Sequence, residues 1–294
     1  MKTAIFLTII WMTAMSAVCH AQQRPLRTED PNLIEPGHVL VEVGFDFFKG
    51  AKFPLSGLGG DLSRLGDLSV HIGLSPRVEI QFAASAQNFL DVKAQSPSVV
   101  SPQLTRGGTS SSDFGDLSLA TKIALLKEKS SRPAVSLLWR VELPTSNEQK
   151  GIGTNTTNFF AGFLVGKQFG RLRTFGKLGV GILQSPAELF DQNDVLTYGG
   201  ATLYRLHKKV NFVAEVSGRK NTRGLAALST ESRSQARYGL QVSWGGVRLD
   251  VGGMVGLNRN SPANGILFGV TIDRQVFSRQ KRTSTGSRGS YTRP

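Results

Sequence analysis

Charged side chains recur at alternate positions along several short segments of the chain, and their chemistry is that of ion pairing or ion selection. Alternate residues of a β-strand point to the same face, so these charges would share one polar face. Seven are basic and eight are acidic, which makes this face nearly neutral. The predicted inward, lumen-lining residues are Glu42, Asp46, Arg77, Glu79, Asp116, Lys122, Arg140, Glu142, Arg173, Lys177, Glu215, Arg237, Arg248, Asp250 and Asp273.

A polar face with both signs of charge has two interpretations. In a water-filled pore, opposed rows of charge select small solutes by charge and by width. In a narrow lumen, the same charges pair with one another, because a charge away from bulk water needs a partner. We favour pairing, since positions on nearby strands can face one another, although both arrangements can occur in different layers.

Residues for catalysis or for metal binding do not form a recognisable set. His38 and His71 are predicted inward and His207 lies in a turn, so no two histidines have the spacing of a metal pair. A lipid-surface hydrolase would need a serine and a histidine on facing positions, and these histidines point elsewhere. A phosphate-binding loop requires a helix directly after its glycines, and no helical pattern follows the glycine-rich segments 57–60 and 176–181. The sequence therefore predicts no enzyme activity, no catalytic or metal residues and no cofactor.

The elements that position the charged face are strands with strict alternation of apolar and polar residues. In the first, Val39, Val41, Val43, Phe45 and Phe47 fall on one side. The pattern restarts roughly every twenty residues between residues 37 and 277, and most strands extend to the roughly 9 to 11 residues that a membrane crossing requires. It predicts an all-β protein, a transmembrane antiparallel up-and-down β-barrel of about 12 strands. Only segments 156–169 and 195–205 are ambiguous in phase.

Connections between the strands alternate between long and short. Short turns of such barrels lie in the periplasm and long loops lie outside. An even strand number then places in the periplasm both an N-terminal segment, 22–36, and a basic disordered tail, 278–294. The predicted long loops are 50–66, 90–113, 144–156, 184–194, 218–234 and 257–264, and the predicted short turns are 75–76, 127–133, 170–171, 206–209 and 243–246.

The first 21 residues have the layout of a cleaved secretory signal. Lys2 is followed by an apolar stretch over residues 4–15 and by Cys19-His20-Ala21, which predicts cleavage between Ala21 and Gln22. The alternatives are a lipoprotein acylated at Cys19, for which the preceding residues fit poorly, and a retained anchor, for which the stretch is short. Cleavage removes the single cysteine and leaves 34 basic and 21 acidic residues, a net charge of +13.

Composition agrees with a barrel better than with a soluble domain. Hydrophobic residues make up 39% of the chain and 33 residues are glycine, which is lean for a protein that must bury its own core. A barrel avoids that need because lipid covers its outer face. Aromatic residues lie outward or at strand ends, where rings belong at membrane interfaces, so no nucleic-acid platform is predicted. The basic tail could bind nucleic acid by its charge, but an exported chain does not normally meet that partner.

Short motifs carry a resemblance to a known family. Glu35-Pro36-Gly37 before the first strand, the run Gly115 to Lys122, and Leu143-Pro144-Thr145-Ser146 resemble the outer-membrane barrels grouped with the phenol meta-pathway (MetA-type) transporters. The resemblance covers most of residues 28–277. It implies a location in the outer membrane of a Gram-negative-type bacterium and passage of small, often apolar, molecules, and it transfers no catalytic residues. Phe277 would be the aromatic that the insertion machinery reads, although 17 residues follow it.

The function predicted from the sequence is an outer-membrane channel or uptake port for passive passage of small, possibly apolar, molecules. The alternative is a non-conducting barrel with a structural or partner-binding role through its external loops. Expected partners are the lipid bilayer, the barrel insertion machinery and a small-molecule solute, with no nucleic acid.

Overall fold

The computed structural model of the protein describes residues 24–105, 107–186 and 192–277. The predicted signal peptide 1–21, its cleavage site at Ala21 and Gln22, and the predicted tail 278–294 lie outside the described residues.

The described chain forms one closed antiparallel β-barrel. β1 pairs with both β2 and β13, which closes the sheet. β4 and β5 both pair with β3 and together make one interrupted strand, so the barrel has the twelve strands that the sequence predicts. The strands are β1 His38–Phe53, β2 Leu58–Ser75, β3 Val78–Gln95, β4 Ser110–Asp113, β5 Leu117–Leu126, β6 Ala134–Leu143, β7 Asn158–Phe169, β8 Leu172–Gln184, β9 Gln192–His207, β10 Val210–Asn221, β11 Arg233–Trp244, β12 Val247–Gly256 and β13 Asn264–Gln275.

Alternation along the strands separates a lipid face from an interior face. In β1, Phe45 is 39% exposed and Asp46 is fully buried, although the two are adjacent. Across the seam that closes the barrel, Phe47 contacts Phe268 edge to face with ring centroids 6.4 Å apart. Exposed apolar side chains such as these recur on every side of the barrel, which fits a surface that meets hydrocarbon rather than water.

The two segments of ambiguous phase form regular strands. In β7, Phe159 and Phe163 are exposed while Leu164 is buried. In β9, Val195 and Ala201 are buried and Leu196 is exposed. Both strands therefore continue the alternation of their neighbours.

The connections differ from the prediction mainly at the end of the barrel where long loops were predicted. The short turns are present, for example between Ser75 and Val78 and between Trp244 and Val247. The predicted loop 50–66 is instead a four-residue turn, because β1 continues to Phe53 and β2 begins at Leu58. These extensions are rich in polar residues and glycine and lack clear alternation, as expected where both faces of a hairpin leave the bilayer.

Helical structure is minor in the described residues. A single 3₁₀ turn, Glu148–Lys150, lies in the connection between β6 and β7. No helix in the described part of the chain has the length and apolar character needed to cross a membrane.

The N-terminal segment corrects the predicted domain organisation. Residues 24–36 contact interior side chains from opposite sides of the barrel, such as Asp46 on β1 and Arg173 on β8. Only a position inside the lumen brings one segment into contact with both. The prediction that residues 22–36 lie in the periplasm is therefore wrong for 24–36, because the segment carries charges and amide groups that match the polar wall.

Candidate functional site

The N-terminal segment is held in the lumen by charged side chains of the barrel wall. Arg24 Nη1 lies 2.9 Å from Asp46 Oδ1, and its Nη2 contacts Asp67. Glu215 on β10 accepts hydrogen bonds of 2.8 Å from two successive backbone amides, those of Arg27 and Thr28. These contacts fix the first residues of the segment against β1, β2 and β10.

Glu29 lies at the centre of a buried charge network. Its carboxylate is 2.6 Å from Arg140 Nη2 and 3.7 Å from Lys122 Nζ, and it accepts a hydrogen bond of 2.8 Å from Gln81 Nε2. Burial works against ionisation of Glu29, but the positive charges of Arg140 and Lys122 outweigh it and lower the pKa of the carboxyl group below its usual value. Lys122 also lies 3.2 Å from Glu79, so the network links β3, β5 and β6 through the segment.

The rest of the segment follows the same pattern. Asp30 Oδ1 accepts a hydrogen bond of 2.7 Å from Arg173 Nη2, and the Ile34 amide donates one of 2.9 Å to Glu79. Backbone carbonyls also serve as acceptors: Pro25 O accepts from Arg237 Nη1 at 3.0 Å, and Arg24 O accepts from Gln241 and Arg248. The polar wall thus binds the segment as a lining of donors and acceptors rather than through one contact.

Most of the sequence-predicted charges meet either the segment or another wall residue. Arg248 lies 2.9 Å from Glu42 and 2.7 Å from Asp250, and Asp273 lies 2.9 Å from His38 Nδ1. The set in direct contact with residues 24–36 comprises Glu42, Asp46, Glu79, Lys122, Arg140, Arg173, Glu215, Arg237 and Arg248.

Four predicted residues have other surroundings. Arg77 is exposed in the turn before β3, so the prediction that it faces the lumen is wrong; β3 begins one residue later, at Val78. Asp116 accepts hydrogen bonds from the amides of Thr145 and Ser146, between two neighbouring strands. Glu142 accepts one of 3.2 Å from Asn158, and Lys177 lines a cavity described next.

A cavity of about 340 Å³ lies beside the N-terminal segment, in the half of the barrel nearer the long loops. Aromatic and aliphatic side chains such as Phe48 and Phe160 form part of its wall. Among the described residues that line it, Glu142 is the one acidic residue. The basic residues that line it are Arg27, Lys52, Arg64, Arg140, Lys177, Arg219, Arg233 and Arg237. Although the predicted inward charges nearly balance in number, only Glu142 of the eight acidic ones is among the described residues that line this cavity, which is therefore strongly basic.

Several of these cavity residues are absent from the sequence prediction. Arg64, Arg219 and Arg233 lie in segments predicted as loops 50–66 and 218–234. The signal that could have found Arg233 is its spacing of two and four residues from Gln235 and Arg237, which continues the inward face of β11. Arg27 has no such signal, because the segment 24–36 has no strand periodicity.

Two of the three histidines in the described residues, His38 and His71, contact carboxylates. His71 Nδ1 lies 3.0 Å from Glu79 Oε1 inside the barrel, and His38 Nδ1 contacts Asp273. Neither histidine hydrogen-bonds to a serine among the described residues. Within the same residues, no group of three histidine, cysteine, aspartate or glutamate side chains is arranged to hold a metal ion.

Residues 24–272 match the protein family described as putative MetA-pathway of phenol degradation. The chain belongs to this family. The match includes both the barrel and the segment inside it, so the segment is part of the family region. No curated protein matches the sequence.

Solved structures share the barrel fold at low sequence identity. The COG4313 outer membrane channel from Pseudomonas putida F1 superposes with a TM-score of 0.60 at 12% identity, over 83% of this chain and 98% of that one. The NanC porin matches with a TM-score of 0.47 at 8% identity, over 80% and 98%. The translocator domain of the autotransporter NalP from Neisseria meningitidis matches with 0.47 at 11%, over 81% and 88%. The fold is that of a channel-like barrel similar to bacterial outer-membrane proteins.

Proposed function

We propose that the protein is an outer-membrane channel or uptake port for small molecules, in which residues 24–36 close the lumen. The observation that carries this proposal is the segment itself, which lies across a polar-lined barrel and leaves a cavity beside it. A solute that reaches the cavity from the side of the long loops meets the segment as the barrier to further passage. Movement down a concentration gradient needs no energy source, so passage is passive.

The way the segment is bonded supports a removable barrier. Within the described chain, residues 24–34 make no backbone-to-backbone hydrogen bond with a strand, and the barrel ladder is complete without them. Their contacts are side chain to side chain or side chain to backbone, as between Arg24 and Asp46. The segment can therefore shift without opening any strand pair.

The same contacts also favour a second function, a non-conducting barrel. Buried ion pairs between the wall and the segment, such as Arg173 with Asp30, are costly to separate, because each charge would be left without its partner. If the segment never leaves, the lumen stays closed and the external loops carry the function. The two candidates differ in whether the segment moves.

A disulfide across the segment distinguishes them. A Cβ built at Gly199 on β9 lies 3.3 Å from Thr28 Cβ, close to the separation of about 3.5 to 4.5 Å in disulfides. We expect the refolded mature variant Thr28→Cys/Gly199→Cys to lose single-channel conductance and arabinose-driven liposome swelling when oxidised, and to regain both after reduction. Residues 22–294 contain no other cysteine, so the locking bond is unambiguous.

The Thr28→Cys variant serves as a control and should conduct like the wild type under both redox conditions. Gly199→Cys alone is not a suitable control, because its Cβ would collide with Thr28 Oγ1 and disturb the segment. Wild-type protein that is folded but shows neither conductance nor swelling would favour the non-conducting barrel. Conductance that is the same in the oxidised and reduced double variant would show that solutes pass without movement of the segment.

A further inference from the structure

The basic cavity beside the N-terminal segment has hydrogen-bond donors that no group of the described residues accepts. Arg237 is 4% exposed, and its Nε and Nη2 have no hydrogen-bond partner among the described residues. Its Nη1 donates a hydrogen bond to Pro25 O, the one hydrogen bond of this side chain in the described structure. The nearest carboxylate, that of Glu215, lies 3.9 Å from Nε and already accepts two backbone amides of the segment. A buried guanidinium in this state needs an external acceptor, since unpaired buried donors are costly.

Other cations of the cavity are in the same condition. Arg233 Nε is buried without a hydrogen-bond partner in the described structure. Lys177 forms no hydrogen bond or ion pair with any described residue, and it lines the same cavity. The one lining carboxylate, Glu142, is engaged by Asn158. Positive charge in the cavity thus exceeds what the described protein groups neutralise.

Apolar side chains complete the cavity wall. Phe48, Leu62, Leu138 and Phe160 line it together with the cations, and the guanidinium of Arg64 lies 5.8 Å from the centre of the Phe48 ring. A volume of about 340 Å³ is in the range of small-molecule sites. A free inorganic ion would leave this apolar surface unused, whereas a molecule with a small apolar body would bury it.

We infer that the cavity binds a small organic anion, in which a carboxylate contacts Arg237, Arg233 and Lys177 while an apolar body packs against Phe48 and Phe160. This inference rests on the proposed function in one respect: it specifies the solute class that the channel would admit. Binding itself does not require passage.

Benzoate is a suitable probe, with three matched ligands to separate the contributions. Benzamide keeps the ring and removes the charge, acetate keeps the carboxylate and removes the ring, and phosphate is an inorganic anion. We expect refolded protein in a non-ionic detergent to bind benzoate at least tenfold more tightly than each of the three, measured by isothermal titration calorimetry. Benzamide binding as tight as benzoate, or acetate or phosphate binding as tight as benzoate, would overturn the inference.

Substitutions test the location of the site. Lys177→Met and Arg233→Met should each weaken benzoate binding by about tenfold, while Lys220→Met, an exposed residue on β10 outside the cavity, should leave it unchanged. Equal affinity in wild type and in both cavity variants would place benzoate elsewhere and refute the assignment. Arg237 is left intact because it also holds the segment, and the ligand series on wild-type protein decides the matter if a variant does not fold.

The binding experiment and the conductance experiment can each fail while the other succeeds. Tight, charge-dependent benzoate binding by a protein that shows no conductance would support the site and contradict the channel. Conductance that responds to the disulfide, without preference for benzoate over benzamide, would support the channel and contradict the site.

Discussion

The carboxylate of Glu29 lies 2.6 Å from Nη2 of Arg140, and this contact joins the N-terminal segment to the wall of the barrel. Lys122 and Gln81 reach the same carboxylate from two other strands. Because Glu29 is 3% exposed, water cannot replace these partners while the segment stays in place. The segment therefore stabilises the charged wall, and the wall stabilises the segment.

Removal of the Glu29 side chain should destabilise the barrel and weaken the binding of the segment to its wall. We expect Glu29→Ala to lower the free energy of unfolding by about 3 to 5 kcal/mol, the typical effect of removing one partner of a buried ion pair. The segment should also leave the lumen more often, which raises single-channel conductance. Urea unfolding in detergent micelles and planar-bilayer recordings on the same preparation measure the two effects.

Asp91→Ala provides a matched control for Glu29→Ala. Asp91 lies 2.6 Å from Lys93, but both side chains are about 60% exposed, so water substitutes for the partner. Unfolding and conductance should match the wild type. If Glu29→Ala and Asp91→Ala behave alike, the network around Glu29 contributes nothing specific.

The lipid and lumen faces of the barrel could be predicted because the bilayer imposes them residue by residue. Apolar and polar positions alternate wherever a strand has hydrocarbon on one side and a polar interior on the other, as at Phe45 and Asp46. That constraint predicted the all-β barrel, its twelve strands and the short turns. The alternation is lost where the strands leave the membrane. For this reason the extensions of β1 and β2 were predicted as a loop although they remain strands.

The occupant of the lumen could not be predicted in the same way. Residues 24–36 have no periodicity, and their position depends on partners that are distant in sequence, as with Thr28 and Glu215, 187 residues apart. Pairing of charges was the favoured interpretation, but only the structure shows the segment as a partner. The basic cavity was missed because Arg219 and Arg233 lie in strand extensions predicted as a loop.

Arginine on the lipid face should be costly. Val180 is 57% exposed near the middle of β8, on the face that meets hydrocarbon. We expect Val180→Arg to make folding into a bilayer less favourable by about 2 to 4 kcal/mol, as for arginine near the midplane. Folding titrations into liposomes measure this loss, and Val180→Leu, which keeps the apolar character, should fold like the wild type. Equal losses in the two variants would mean that the position does not face lipid.

A lumen-side comparison must avoid Gly179. A Cβ at Gly179 would collide with the carbonyl oxygen of Ala161 on β7, so arginine there is not tolerated despite its inward position.

Accessibility on intact cells tests the orientation. An epitope inserted after Ser98, in the connection between β3 and β4, or after Arg223, between β10 and β11, should bind antibody on intact cells. One inserted after Lys129, in the turn between β5 and β6, should bind only after the outer membrane is opened. Antibody binding at position 129 on intact cells would show that the barrel has the opposite orientation in the membrane. The cavity would then be reached from the periplasmic side.

Acid should weaken the contact between the turn at Glu128 and the neighbouring strands. Glu128 Oε1 accepts a hydrogen bond of 2.9 Å from the Gln168 amide, and Oε2 lies 3.0 Å from Arg173 Nη1. Partial burial works against ionisation, but these two contacts outweigh it and lower the pKa of Glu128 below its usual value. A carboxyl group whose pKa is lowered by folding stabilises the protein fully above the unfolded-state pKa, about 4.3. That stabilisation is lost as the pH falls through the folded-state pKa.

Glu128→Gln tests this pH dependence directly. At pH 7 the variant should unfold at a lower urea concentration than the wild type, because an amide cannot replace the carboxylate beside Arg173. The difference should shrink as the pH is lowered through the folded-state pKa of Glu128, where the wild-type side chain also becomes neutral. Glu148→Gln, at a loop residue whose side chain makes no hydrogen bond in the described structure, should follow the wild type throughout. A difference between Glu128→Gln and wild type that persists unchanged at pH 3 would show that the contact does not depend on the charge of Glu128.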